Sequence, residues 1–304
     1  MVAWPAARAR AALRSLLTAS LAGALRPDPA ELARYAEPAG DPGLFGPGSL
    51  AWVVHADLPS MLVGGLAALM FQTLHPLAMA GVADHSGFRS DPLGRLERTA
   101  RFVAGTTFGP TRLAEELLDR VRRTHERVVG TARDGRRYSA NDPALLTYVH
   151  VTEVWCFLRS FQRYGPRPLL RSERDRYLAE VVVVAERLGA RDVPASVAEV
   201  RAYLAAVAGE LEATPEALDT VAFLRRPLAR RPEAVVGHRV LTDAAFDLLP
   251  AHARALLGAT PCGALRTVPV RTAGRAFTAA MRWAIGPSLV AAAARARCAL
   301  RPAR

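Results

Sequence analysis

Residues 58–83, "LPSMLVGGLAALMFQTLHPLAMAGVA", run for 26 positions without a charged side chain. So long an uncharged stretch must leave water. It enters either a bilayer, which about 20 apolar residues span, or a protein core. The punctuation decides between the two. Pro59, Gln72, His75, Pro76 and several glycines interrupt the run. The residue before a proline is pushed out of the helical region, so the chain breaks at His75-Pro76. The stretch is predicted as two buried helices, one over 59–74 and a short one after Pro76. Covering them takes a surround of amphipathic helices, and at 304 residues, 51% hydrophobic and 22% charged, the chain has the length and composition to supply one.

The rest of the chain reads the same way. "RPDPAELARYAEPAGDPGLFGPGS" (26–49) is a Pro/Gly-rich lead-in of turns. "DHSGFRSDP" (84–92) is a loop, and Asp91-Pro92 opens a helix with proline in its first turn, running to about Phe108 and stopping at Gly109-Pro110. The next helix starts near Thr111 and is expected to end at Gly130 as a C-terminal glycine. A turn region, 131–143, is compatible with a hairpin around Asp134-Gly135. Asn141-Asp142-Pro143 caps a helix reaching about Tyr164. Further helices are expected over 173–188, 195–211, 214–224, 241–256 and 272–298. "VVVV" at 181–184 is strand-prone by itself but sits inside a helical pattern with Glu180, Glu186 and Arg187. Strand alternation is otherwise nearly absent, there is no internal repeat, and the expected fold is one all-α domain around a single core.

Charge narrows the partners. The formal net charge is +12, and all 40 basic residues are arginine. They are scattered, and no interleaving of basic and aromatic residues forms a stacking platform, so no nucleic acid is expected. A basic surface of this kind is compatible with peripheral contact to anionic membranes. Cys156, Cys262 and Cys298 are far apart and odd in number, with no CxxC pair. That supports neither a disulfide framework nor a zinc knuckle and favours a reducing compartment. Residues 8–25, "RARAALRSLLTASLAGAL", have the outline of an export signal. Their short, alanine-rich apolar run favours an N-terminal amphipathic helix over 1–25, and with it a cytoplasmic location that allows peripheral membrane contact.

No GxSxG, HExxH, GxGxxG or GxxxxGK[ST] is present, which removes the common hydrolase, zincin and nucleotide signatures. Histidines on apolar faces remain. Leu113, Leu117 and Val121 are spaced four apart, and His125 continues their stripe. A histidine there is more often a hydrogen-bonded core residue than a ligand. It also suits haem, which needs one protein imidazole where zinc needs three or four ligands. In "RLERTARFV" (95–103), Arg95, Thr99, Phe102 and Thr106 share a face. The plain reading is a solvated face; the other is an arginine at the core boundary that holds an anionic group. Arg98 lies one position off that face and reads as solvated. His75 ends an apolar helix and caps the broken turn or binds a ligand. His150 lies deep in an apolar helix with Glu153 three residues on, a spacing that permits a hydrogen-bonded pair or a proton relay. His55, His85, His238 and His252 are expected to be surface or capping residues. Gly64-Gly65 in an apolar helix costs helix stability, which is offset either by close approach of a neighbouring helix or by a flat ligand.

These motifs occur together in one known family. "LFGPGSLAWVVHADLPSMLVGGLAALMFQTLHPLAMAGVADHSGFRSDPLGRLERTARFVAGTTFG", then "HERVVG", "YSANDPALLTYVH" and "RYG", resembles the MpaB / latex-clearing-protein (rubber oxygenase) catalytic domain family, also called DUF2236. The likeness is clearest over about 25–210 and assigns 26–304 to one catalytic domain. It implies a haem b-binding all-α fold with a globin-like core, which uses dioxygen to cleave carbon–carbon double bonds of isoprenoids. His125 matches the family's proximal haem-ligand histidine, and Arg95 and Thr99 match an RxxxT pair beside the haem. Arg98 stands where the rubber-cleaving members have a lysine that closes the distal iron position. An arginine stays protonated and ligates iron poorly. Met79 lies near the place of the rubber enzymes' carboxylate base, which has no clear counterpart here. The resemblance therefore implies a haem b-dependent oxygenase with dioxygen as co-substrate and a hydrophobic, isoprenoid- or lipid-like substrate. Its candidate residues are Arg95 and Thr99 for catalysis, His125 for the metal, and His75, Arg98 and His150 in the cofactor site. A haem carrier or gas sensor is the alternative, and a membrane-associated helical scaffold the third reading.

Overall fold

A computed structural model of the chain describes residues 28–227, 232–258 and 264–300. The helix expected over 1–25 and Cys262 lie outside them. Among the described residues there are fourteen α-helices and one two-stranded sheet, the all-α single domain anticipated from the sequence.

The uncharged run forms the centre. Helix α3 (Leu58–Gln72) and the long α7 (Pro143–Tyr164) pack antiparallel as the core pair. The Ser160 hydroxyl donates to the Ser60 carbonyl at 2.6 Å near one end, and the Tyr148 hydroxyl to the Phe71 carbonyl at 2.8 Å near the other. Both donors are buried, so each bond fixes register and also satisfies a polar group that has left water. Gly64 sits between them. A Cβ built there would lie 3.0 Å from Phe157 Cδ1 and 3.1 Å from the Cys156 carbonyl oxygen, whereas one on Gly65 would meet nothing closer than 3.8 Å. Close helix approach therefore explains Gly64.

Asp57 caps α3 by accepting from the Ser60 N–H at 3.3 Å. Its carboxylate also takes a two-pronged ion pair from Arg282, at 2.6 and 2.8 Å. That pair ties α3 to α13 (Ala264–Ile285), and α11 (Pro232–Leu248) packs beside both. Past Gln72 the chain bends by 104° into α4 (Pro76–His85), as the His75-Pro76 break requires. No residue of 58–82 is exposed. No single helix among the described residues is long and apolar enough to cross a membrane, and the bent α3–α4 pair passes such a test only as a pair.

Around the core pair lie α1 (Pro29–Ala36), α2 (Leu50–His55), α5 (Pro92–Phe108), α6 (Thr111–His125), α8 (Arg171–Leu188), α9 (Val197–Ala206), α10 (Pro215–Leu224), α12 (Ala251–Leu256) and α14 (Leu289–Ala299). Four expected boundaries move. The lead-in contains α1, capped by the Asp28 side chain, and its last residue, Ser49, caps α2. The helix expected over 241–256 begins at Pro232 and breaks at Pro250, and that over 272–298 breaks at Gly286, where φ is 76°. The fourth change concerns Gly130. Helix α6 stops at His125, and Val129–Thr131 pairs antiparallel with Arg137–Ser139, so Gly130 lies in a strand and caps nothing. It is needed there because a Cβ would collide with the Tyr138 ring. The hairpin turns at Gly135, with φ 84°, as Asp134-Gly135 predicted.

Candidate functional site

The α5–α6 hairpin positions most of the sequence-selected residues. Asp91 opens α5 by accepting from the Gly94 N–H at 2.9 Å. Proline at the first turn needs no N–H partner, so the helix starts cleanly at Pro92. Gly109 and Pro110 reverse the chain into α6. A Cβ on Gly109 would lie 3.1 Å from Leu113 Cδ2, and one on Gly105 would strike the Leu117 side chain. Helix α6 runs back along α5, so its last residue, His125, and the first half of α5 lie toward the open end of the hairpin. His125, Arg95, Arg98 and Thr99 thus share one end of the hairpin.

Their environments differ. Leu113 and Leu117 are buried, but Val121 and His125 are half-buried, so the stripe rises toward the surface as it leaves the core. His125 Nδ1 is nevertheless enclosed and has no hydrogen-bond partner. Burial lowers the imidazole pKa from its usual value and holds the ring neutral, the form that ligates metals. Arg95 is half-buried. Its guanidinium donates to the Ser86 hydroxyl and stands 5.9 Å from the centre of the Phe88 ring. Burial, and next the charge of Arg98, push its pKa down, and among the described residues no carboxylate pairs with it. Arg98 is exposed and paired with Asp91 at 3.1 Å. Thr99 is also exposed, although its helix face suggested the core boundary. On that face Thr99 stands exposed between half-buried Arg95 and half-buried Phe102, and the fully buried positions of α5 begin at Gly105.

His75 and His150 lie elsewhere. His75 is buried at the α3–α4 break, with its ring centre 4.9 Å from that of Tyr148 and its Nε2 3.8 Å from Glu210. Its side chain makes no capping bond to α4, and its Nδ1 is enclosed and unpartnered. Burial is the main cause of its lowered pKa. His150 lines a narrow cavity of about 30 Å³ walled also by His55, Phe102, Thr107, Glu153 and Phe157. No hydrogen bond joins His150 to Glu153, because both side chains face the cavity. Burial drops His150 to about 4 and lifts Glu153 to about 7. A carboxyl near 7 exchanges protons readily at neutral pH.

His55, expected at the surface or in a cap, is the residue that sequence reading missed. It is held on both nitrogens, Nδ1 by the Thr107 hydroxyl at 2.8 Å and Nε2 by Tyr177 at 2.9 Å. Burial, then the neighbouring His150, lower its pKa to about 3. The available signal was the apolar "AWVVH" run (51–55) that carries it inward. The partners come from α5 and α8, more than fifty positions away.

Residues 52–284, well over half of the chain, match the family model described as "ER-bound oxygenase mpaB/B'/Rubber oxygenase, catalytic domain". The chain belongs to this family. Comparison with curated proteins and with solved structures gives no match. Membership supports an oxygenase activity for this MpaB/rubber-oxygenase domain. Its matched segment starts in α2 and ends within α13, so it takes in the core pair, the α5–α6 hairpin and the His55–His150 cavity.

The donor chemistry suits a haem better than a metal held by protein alone. Among the described residues, no three His, Cys, Asp or Glu side chains come together to hold an ion. Haem asks for a single imidazole, and His125 presents an enclosed, unpartnered Nδ1 on a ring kept neutral. Arg95 presents a half-buried cation without a carboxylate, which suits a propionate. The 30 Å³ cavity has room for a water molecule but not for a macrocycle, and neither His125 nor Arg95 lines it.

Proposed function

We propose that this MpaB/rubber-oxygenase domain is a haem b-dependent oxygenase that uses dioxygen on a hydrophobic, isoprenoid- or lipid-like substrate, with His125 as the proximal iron ligand. The observation that carries the reading is the enclosed, unpartnered Nδ1 of His125 at the C-terminal end of α6. Bound there, haem supplies dioxygen binding and the redox chemistry that no protein side chain provides. The chain's own part is orientation and proton handling. His125 is kept neutral by burial, so it needs no deprotonation before ligating. Arg95, anchored on Ser86 and beside Phe88, offers its charge to an anionic edge of the cofactor. Thr99 and Arg98 stand on the exposed flank of the same helix, Thr99 with a hydroxyl to donate and Arg98 already engaged by Asp91. Glu153, near 7, holds or releases a proton in the cavity it shares with His150 and His55. His75, with its own unpartnered nitrogen, is the second candidate to contact the cofactor. Contact with a membrane surface, where such a substrate dissolves, accords with the net charge of +12.

The test is an absorption spectrum of purified protein supplied with haemin, followed by dioxygen uptake with an isoprenoid. A Soret band is expected, displaced or lost in His125→Ala, together with substrate-dependent uptake. A colourless protein that takes up no haemin refutes the cofactor. A haem protein that oxidises no isoprenoid or lipid is a carrier or sensor instead.

A further inference from the structure

On the opposite face of α7 from the His150 cavity lies a wider hollow of about 370 Å³. Helical periodicity separates the two: His150, Glu153 and Phe157 point one way, while Trp155, Leu158, Arg159 and Gln162 point the other. Five arginines line the wider hollow: Arg159 and Arg163 from α7, Arg174 from α8, Arg201 from α9 and Arg275 from α13. Among the described residues, no acidic side chain lines it.

The charge balance around this hollow is uneven. Arg163 is neutralised by an ion pair with Asp247, which also binds Arg271. Arg275 donates to the Arg163 backbone carbonyl, and Arg159 stands 5.9 Å from the centre of the Trp155 indole. Among the described residues, Arg159, Arg174, Arg201 and Arg275 have no carboxylate partner. Arg174 Nε is enclosed without any hydrogen-bond partner, so this guanidinium is desolvated on one side and satisfied by nothing in the protein. Like charges gathered in a concavity repel one another, and an orphaned buried donor adds its desolvation penalty. Both costs disappear when an anion with several acceptor oxygens enters.

We infer that this hollow binds a ligand carrying a diphosphate, or two phosphates close together, with an apolar portion against Trp155, Leu158 and Val197. Guanidinium forks match phosphate oxygens in pairs. One phosphate monoester carries about −1.5 to −2 at neutral pH, so two are needed to balance four unpaired arginines. The volume, at the lower end of the range for small-ligand sites of roughly 300–1,000 Å³, exceeds what the phosphates fill. The site is independent of the haem reading, because neither His125 nor Arg95 borders it.

Inorganic diphosphate is the first probe, added to the full chain in 150 mM salt and read by thermal unfolding and calorimetry. It is expected to raise the unfolding midpoint. Arg159→Gln with Arg174→Gln is expected to weaken Kd at least tenfold and, with the repulsion relieved, to leave the ligand-free protein at least as stable as the parent. A control that removes the same charge from the outer surface, Arg112→Gln with Arg133→Gln, is expected to keep the parent's Kd. Equal weakening in both double variants, or no midpoint shift in the parent, overturns the proposal. A second arm tests the source of the phosphates, using vesicles of neutral lipid with and without phosphatidic acid. Diphosphate binding without vesicle binding assigns the site to a free phosphorylated molecule. Vesicle binding that diphosphate displaces, and that the hollow's double variant loses, assigns it to a lipid headgroup.

Discussion

Replacing Gly64 with alanine adds one methyl group to the face of α3 that touches α7. In a helix interior this exchange by itself stabilises by about 1 kcal/mol, because glycine loses more backbone freedom on folding. At Gly64 the new carbon would stand 3.0 Å from Phe157 Cδ1 and 3.1 Å from both the Cys156 carbonyl oxygen and Phe157 Cα. Two of these three atoms are backbone of the longest core helix and have nowhere to go. Overpacking of that kind costs about 1–3 kcal/mol, which set against the gain leaves Gly64→Ala about 1 kcal/mol less stable than the parent, within a range of about 0–2. Gly65→Ala is the internal control. Its methyl group meets only Phe157 Cε1 at 3.8 Å, an ordinary contact, so it keeps most of the propensity gain. The two neighbouring substitutions, chemically identical, are expected to have opposite signs and to differ by about 2 kcal/mol. Urea unfolding of both variants, followed by far-UV circular dichroism, reads this directly. If Gly64→Ala proves as stable as Gly65→Ala, α3 and α7 are not in close contact at this point and the core pair described above is wrong.

The buried titratable groups predict how stability depends on pH. His55 and His150, near 3 and 4 in the fold against 6.5 unfolded, stay neutral while the unfolded chain takes up protons, so stability falls as pH drops from 6.5 toward 4. Glu153, near 7 against 4.5 unfolded, acts oppositely and adds stability on acidification between 7 and 4.5. His150→Gln should therefore flatten the acid loss and Glu153→Gln should steepen it above pH 4.5; unfolding free energies that run parallel to the parent in both variants would contradict the assignment. Asp57→Asn removes the charge from a carboxylate that caps α3 and pairs with Arg282, and is expected to cost about 3 kcal/mol, read as a lower urea midpoint.

Much of the local structure was legible in the chain itself. Asp91-Pro92 and Asp142-Pro143 announce their helices because a short acidic side chain satisfies free N–H groups and proline presents none. The break at His75-Pro76 and the turn at Asp134-Gly135 are equally local, set by steric rules acting over two residues. The candidate residues themselves, His125 and Arg95 above all, were visible in the motif string, since residue order survives without any knowledge of packing. Gly130 shows where local rules fail. A glycine after a helical stripe reads as a cap, but here strand pairing with Arg137–Ser139 and the Tyr138 ring claimed it.

The sequence determined that the chain is helical, that all of 58–83 but its last residue is kept from full exposure, and which motif residues stand at the α5–α6 hairpin, because periodicity, capping and chain breaks are short-range physics. Tertiary packing alone decided that Thr99 faces water, that His55 is gripped by Thr107 and Tyr177, and that arginines from four helices converge on one hollow. Each of those facts joins groups on separate helices, and burial and charge balance come into being only when the helices meet.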